Sequence, residues 1–182
     1  MWRSVRHLDR RLMKLAFRAR SPAMDHALVG LTRAASYSRL WLLIAAVLAV
    51  FGGRDGRRAA GRGLIAIAIA AAAANGPAKL LVRRRRPSSR WRPTLVRTPR
   101  STSFPSGHSA AAVAFATGAS VELPVLMPVL VPLASAVAYS RVHTGVHYPS
   151  DVAAGIGIGL AAGLLAKHPP RRVRLGVAVI MI

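Results

Sequence analysis

The sequence predicts an all-α fold: a polytopic membrane helix bundle of five apolar spans behind an N-terminal amphipathic helix. Three observations predict it. Of its 182 residues, 53% are hydrophobic, and the mean hydropathy is positive. The formal net charge is nevertheless +22. Apolar stretches and Arg-rich stretches alternate along the chain instead of mixing, as they do where spans are flanked by basic loops. The length suits one domain. A nucleic-acid binder would also be basic, but here the arginines flank apolar runs and line no single amphipathic face. There is no cysteine, which excludes disulfides and Cys-ligated metal. The N-terminus carries scattered charges and no continuous apolar core, so it does not read as a secretory signal.

Two parts are expected: N-terminal amphipathic, interfacial helices over residues 1–36 and a transmembrane domain over residues 37–182. In the first, Val5, Leu8, Leu12, Leu15 and Ala19, with Ala16 beside them, recur at helical spacing. Arg and Lys fill the opposite face, which suits a helix lying on anionic lipid; packing on its own protein is the alternative. Ser21 and Pro22 fit an N-cap followed by Pro at the first helical position.

The spans follow in order. Residues 37–51 form the first, reaching back toward Leu31 because a bilayer needs about 20 residues; Gly52 and Gly53 end it. A loop with Arg54, Arg57, Arg58 and Arg62 leads to the second, over residues 63–82, interrupted at Asn75, Gly76 and Pro77. A basic, Pro- and Ser-rich loop covers residues 83–104. The third span covers residues 107–121 and the fourth 125–139, with Pro128 and Pro132 expected to kink its first half. The fifth covers residues 151–166, and its Gly155, Gly157, Gly159 and Gly163 signal close packing. The last eight residues are too short to span alone.

Three polar clusters stand at span ends: Lys79 to Pro87, Phe104 to Ser109, and Ser140 to Asp151. Counting spans puts all three on one side of the membrane. Their chemistry is that of a phosphate monoester site. Lys79, Arg86 and Arg141 neutralise the dianion, Arg with a planar fork of donors. Ser106 adds a hydroxyl, and the Gly107 N–H lies at a helix start, where free amides face an anion. His147 is the candidate nucleophile. Asp151, four residues on, is its neighbour on one face if the fifth helix has begun by then, and orients it. His108 is left as general acid and base. The cationic side chains supply the electrostatics, so no metal cofactor is expected.

These residues carry a resemblance. Lys79, Arg86 and Pro87, then Pro105, Ser106, Gly107 and His108, then Ser140, Arg141, His147 and Asp151 match in order and spacing the three motifs of the type 2 phosphatidic acid phosphatase (PAP2) family, relatives of the vanadium haloperoxidases. The match runs from about residue 79 to 151. It implies a membrane phosphatase acting through phosphohistidine without metal, on a bundle that usually has six spans, hence five to six here. The expected partners are a lipid phosphate and the bilayer, with no nucleic acid; a homo-oligomer stays open.

Other residues have plainer readings. Arg83, Arg84 and Arg85 read as a solvated flank facing lipid headgroups. His143 and His147 have the spacing of a zinc pair, but no Glu stands between them; His143 is expected to pack or hydrogen-bond beside the pocket. Tyr148 and Pro149 shape the turn into the fifth span. Asn75 suits a helix–helix hydrogen bond, Trp41 and Trp91 suit interface anchors, and Trp91 is alternatively a pocket wall. His7, His26 and His168 default to the surface.

Outside the motifs, sixteen basic residues fall on the site side and eight on the other. The positive-inside rule therefore favours a cytoplasmic site in the cell inner (plasma) membrane. The Arg- and Ala-rich composition is similar to that of small actinobacterial family members. A polyprenyl-linked phosphate such as a decaprenylphosphoryl sugar phosphate, a cell-wall precursor, then fits, as does a phosphatidic acid-type lipid; polyprenyl pyrophosphate and phosphatidylglycerophosphate are alternatives. A non-catalytic lipid-phosphate carrier or flippase is the reading of another class, but it has no use for a His147–Asp151 pair beside His108.

Overall fold

A computed structural model describes residues 2–76, 79, 82–87, 94–98 and 101–167. Pro77, Trp91, His168, the terminal residues 175–182 and the basic residues Arg90, Arg92, Arg100, Arg171, Arg172 and Arg174 lie outside them. The described residues form helices and turns, with no strand among them.

Helix α1, Trp2–Arg18, and α2, Pro22–Ala34, open the chain. Ser21 caps α2 by accepting from the Met24 N–H at 3.3 Å, with Pro22 in the first turn. A short 3-10 turn at Ser36–Ser38 follows, where Tyr37 (φ 54°) and Ser38 (φ 59°) adopt left-handed backbone. That break bends α2 by 61° from the segment running to Phe51. The first span therefore does not extend straight back to Leu31: α3 is Arg39–Phe51.

Helix α4, Gly53–Asn75, starts ten residues earlier than the sequence suggests, and the expected loop at residues 54–62 is its first part. Arg and Ala are good helix formers, and this stretch has a face to bury: Gly56, Ala59, Ala60 and Gly63 are all covered. A Cβ on Gly56 would stand 2.4 Å from the Leu48 carbonyl oxygen. The α3–α4 hairpin can close this tightly only where the side chain is absent.

Helix α5, Gly107–Glu122, runs through the middle, packed by α4, by α6 (Met127–His143) and by α7 (Pro149–Leu165). Small residues bring α5 and α7 together. A Cβ on Gly155 would meet the Ser106 carbonyl at 2.5 Å, on Gly159 that of Ala110 at 2.6 Å, and on Gly163 the Thr117 Cβ at 2.5 Å. Gly157, on the other face, has nothing within 4 Å. Pro128 sits in the first turn of α6, where no amide is lost to the helix, and Pro132 lies inside α6, which continues to His143. At the far end, Arg62 and Glu122 pair at 3.6 Å, tying α4 to α5.

Trp41 is not an interface anchor. It is wholly buried, with its ring 5.5 Å from that of Phe115. Gly63 makes the room, since a Cβ there would stand 2.7 Å from Phe115 Cδ2. Alanines, Leu130 and Val137 complete this core.

The face of α1 that docks is not its leucine stripe. Asp9, Met13 and Ala16 are buried, and Met13 and Ala16 pack with Ala138 and Val142 of α6 and Val152 of α7. Leu8, Leu12 and Leu15 stay 56%, 40% and 57% exposed. Both sequence readings of α1 thus have a surface: one face holds the protein and an apolar face is left outward.

Among the described residues, one helix, Pro124–His143, is by itself long and apolar enough to cross a membrane, and the bent pair Pro22–Ala34 with Ser36–Phe51 makes a second.

Candidate active site

Residues 82–87 form no helix and no strand, and the Arg84 N–H turns back to the Val82 carbonyl at 3.0 Å. Side-chain exposure alternates along this segment, and Pro87 disfavours helical backbone in the residue before it. Arg83 and Arg85 are exposed, while Arg84 and Arg86 turn inward. The Ser103 N–H donates to the Arg84 carbonyl at 2.8 Å, tying this segment to the approach to α5.

Arg86 is held on three sides. Its Nε donates to the Ser101 carbonyl at 3.0 Å, Nη1 to the Val146 carbonyl at 2.9 Å, and Nη2 to Ser101 Oγ and the Thr102 carbonyl, both at 3.2 Å. Nη1 also lies 3.1 Å from His147 Nε2. A guanidinium only donates, so Nε2 is the acceptor and the ring proton belongs on Nδ1. That atom faces Asp151, with Nδ1 3.8 Å from Oδ2 and no hydrogen-bond partner of its own. His147 lies in the turn between α6 and α7 and is 3% exposed. Burial first, then the Arg141 and Arg86 charges, push its ring down to about 4 against the opposing pull of Asp151. The imidazole is neutral at pH 7.

Asp151 is anchored by more groups than the His pairing expected of it. Oδ2 accepts from Ser103 Oγ and from the Tyr148 N–H at 2.9 Å, the latter part of a capping box at the start of α7. Oδ1 accepts from Arg84 Nη1 at 2.8 Å. Arg84, read from the sequence as a solvated flank, is instead an inward ion-paired side chain whose Nη2 reaches Asp9 of α1 at 2.6 Å. Its guanidinium also lies 4.0 Å above the Tyr148 ring. Burial acts to lower the Arg84 pKa, but its bond to Asp9 and the charges of Asp151 and Asp9 raise it overall.

Ser106 caps α5. Its Oγ pairs with Ser109 Oγ at 2.9 Å and accepts from the Ser109 N–H at 3.4 Å, so the hydroxyl is occupied by the helix. The Ser106 N–H donates to the Asp151 carbonyl at 3.0 Å, which joins the starts of α5 and α7. Gly107 is the first residue of α5, and a Cβ there would lie 3.9 Å from Asn75 Oδ1. Among the described residues, Asn75 Oδ1 accepts from Lys79 Nζ at 2.7 Å. This pair brings Lys79 to the α5 start.

His108 and Arg141 open onto a cavity of about 760 Å³ with Thr32, Ser36 and Tyr37 among its walls. His108 Nε2 is 3.5 Å from Ser36 Oγ. Arg141 is 3% exposed and donates through Nη1 to Thr32 Oγ1, while its Nε is buried without a partner. His143 turns away from His147: its Nε2 is 2.7 Å from Asp25 Oδ1 on α2. His7 and His26 are exposed as expected.

The structure therefore gathers all three motif clusters at one end of the bundle. Sequence reasoning missed Asp9, Thr32, Ser36, Arg84 and Ser103. Arg84 had a signal, the alternation along the RRRRP stretch. Asp9 had a weaker one, an acidic residue on a strongly basic helix.

No curated protein matches the chain in sequence. Solved structures resemble it, among them two phosphatases. The crystal structure of Aquifex aeolicus LpxE superimposes with a TM-score of 0.74 at 25% identity, over 87% of this chain and 94% of that one. The first transmembrane PAP2 type phosphatidylglycerolphosphate phosphatase from Bacillus subtilis gives 0.69 at 27% identity, over 90% and 84%. The PAP2 superfamily model matches residues 60–174, a stretch that contains every motif residue above. With the motifs converging in space and the fold shared with two phosphatases, the chain belongs to the PAP2 superfamily and is a membrane phosphatase of that type, a phosphoric monoester hydrolase.

Proposed function

We propose that the protein is a metal-independent lipid phosphate phosphatase that works through a phosphohistidine on His147. The observation that carries this is the orientation of that ring. Nε2, held by Arg86, bears the lone pair on the cationic side, and Nδ1 looks toward Asp151. Nε2 attacks phosphorus as the ester P–O bond breaks, and His108 gives its proton to the leaving alkoxide. His108 then takes a proton from water, which attacks the phosphohistidine and frees inorganic phosphate. Lys79, Arg86, Arg141 and the Gly107 N–H hold the phosphoryl oxygens, with Ser106 setting the start of α5 that presents them. These fixed donors stabilise the charge of the transition state.

The lipid tail belongs with the apolar helices, of which five to six cross the bilayer. Residues 1–36 lie on its surface and residues 37–182 form the phosphatase domain. The excess of basic residues on the site side supports the cytoplasmic face of the inner membrane. A polyprenyl-linked phosphate, such as a decaprenylphosphoryl sugar phosphate, or a phosphatidic acid-type lipid is the substrate; polyprenyl pyrophosphate and phosphatidylglycerophosphate are the next candidates.

Phosphate release in detergent with chelator, wild type against His147→Ala, over a panel of these lipids tests the reading. Release by wild type alone is expected. Equal release by His147→Ala removes the nucleophile, and loss of wild-type release on chelation removes metal independence. Vanadate binding without release from any lipid supports the carrier reading.

A further inference from the structure

Asp9 lies on α1, outside the residues that match the superfamily, yet it is 2% exposed and bound to the active-site end. Its Oδ1 accepts from the Ser150 N–H at 2.9 Å, and its Oδ2 accepts from Ser150 Oγ at 2.7 Å and from Arg84 Nη2 at 2.6 Å. The other arm of Arg84 donates to Asp151 Oδ1 at 2.8 Å and to Ser150 Oγ at 2.6 Å. One guanidinium is thus shared by two carboxylates, one from α1 and one beside His147.

The charges decide what this sharing does. Asp9, Arg84 and Asp151 together carry one net negative charge, next to a ring that also faces Arg86, Arg141 and His108. Without Asp9, Arg84 and Asp151 cancel, and the ring keeps only cations as charged company. An imidazole phosphorylated on Nε2 while its proton stays on Nδ1 is cationic and needs a counter-charge. Charges count most in such a buried setting. We infer that Asp9 is a positioning residue for the phosphatase reaction: it takes up one arm of Arg84, so that Asp151 keeps a net negative charge for His147. This rests on the reading of His147 as nucleophile.

Docking of α1 alone would also account for a buried Asp9, since Met13 and Ala16 pack beside it. Charge restoration separates the two roles. Asp9→Asn keeps the shape and removes the charge; Asp9→Asn with Arg84→Gln removes both charges and returns the net value to minus one. The expected result is a fall in kcat of about tenfold or more in Asp9→Asn, the equivalent of about one unit of ring pKa, with vanadate affinity close to wild type, and a lower melting temperature because Arg84 loses a buried carboxylate partner. The double variant recovers most of that loss, and Asp9→Glu recovers part. In 15N-histidine spectra the His147 titration moves down in Asp9→Asn and up in Arg84→Gln, and the latter reads the charge even if the former fails to fold. The inference is overturned by a double variant as slow as Asp9→Asn, by kcat in Asp9→Asn within about twofold of wild type, or by titrations that move the same way. An active His147→Ala overturns the nucleophile reading instead, so the two failures are distinct.

Discussion

Arg86 Nη1 lies 3.1 Å from His147 Nε2, and this contact selects the tautomer of the ring. A permanent donor cannot face an N–H, so the lone pair points at Arg86 and the proton at Asp151. In the proposed mechanism, the Arg86 that binds phosphate also presents the nucleophile.

Such a ring titrates low. Burial, Arg141 and Arg86 disfavour the imidazolium and bring the His147 pKa down to about 4, against an ordinary value of 6.5. Because the folded value is depressed, the neutral form persists as pH falls and is lost only through about 4. In 15N-histidine spectra of the free enzyme, the His147 resonance is expected to stay neutral at pH 6, where an exposed histidine is already mostly charged. A midpoint near 6.5 would contradict the assigned contact.

Thr32 of α2 holds the Arg141 guanidinium, whose Nε has no partner of its own. Thr32→Val keeps the shape and loses the hydroxyl. Bonds to charged groups are worth about 1.5–3 kcal/mol, so vanadate affinity is expected to fall about tenfold or more, with kcat changed less than KM. Calorimetric titration with vanadate measures it.

Gly159 and Gly157 are two residues apart and differ in surroundings. Gly159→Ala places a methyl 2.6 Å from the Ala110 carbonyl oxygen, whereas Gly157→Ala meets nothing within 4 Å. Overpacking of this kind costs about 1–3 kcal/mol. It also parts α7 from α5, whose starts are joined through Ser106 and Asp151. Gly159→Ala is expected to lower both melting temperature and activity, and Gly157→Ala to leave both at wild-type level.

Trp41→Ala empties the place of a wholly buried side chain against Phe115. A loss of about 3–5 kcal/mol follows from such a deletion. The melting temperature in detergent should fall, with KM nearly unchanged in the protein that remains folded. Wild-type thermal behaviour would return Trp41 to the membrane interface.

By itself the sequence determined the helical class and the phosphatase family. Apolar runs cannot be exposed to water and arginines cannot be left in lipid, so their alternation prescribes helices with a polar end. The four-residue spacing already suggested the pairing of His147 with Asp151, though His147 lies in the turn before α7 and not on the helix, and the glycines of α7 already marked a close approach. Tertiary structure decided what depends on which faces meet. Trp41 became core because Gly63 left space for Phe115 beside it. Residues 54–62 became helix because α3 and α5 offered a surface to bury their small side chains. Arg84 and Asp9 met across 75 positions of sequence, a pairing no local period encodes. A basic flank and a buried ion pair read alike in one dimension; only the arrival of a carboxylate from a distant helix distinguishes them.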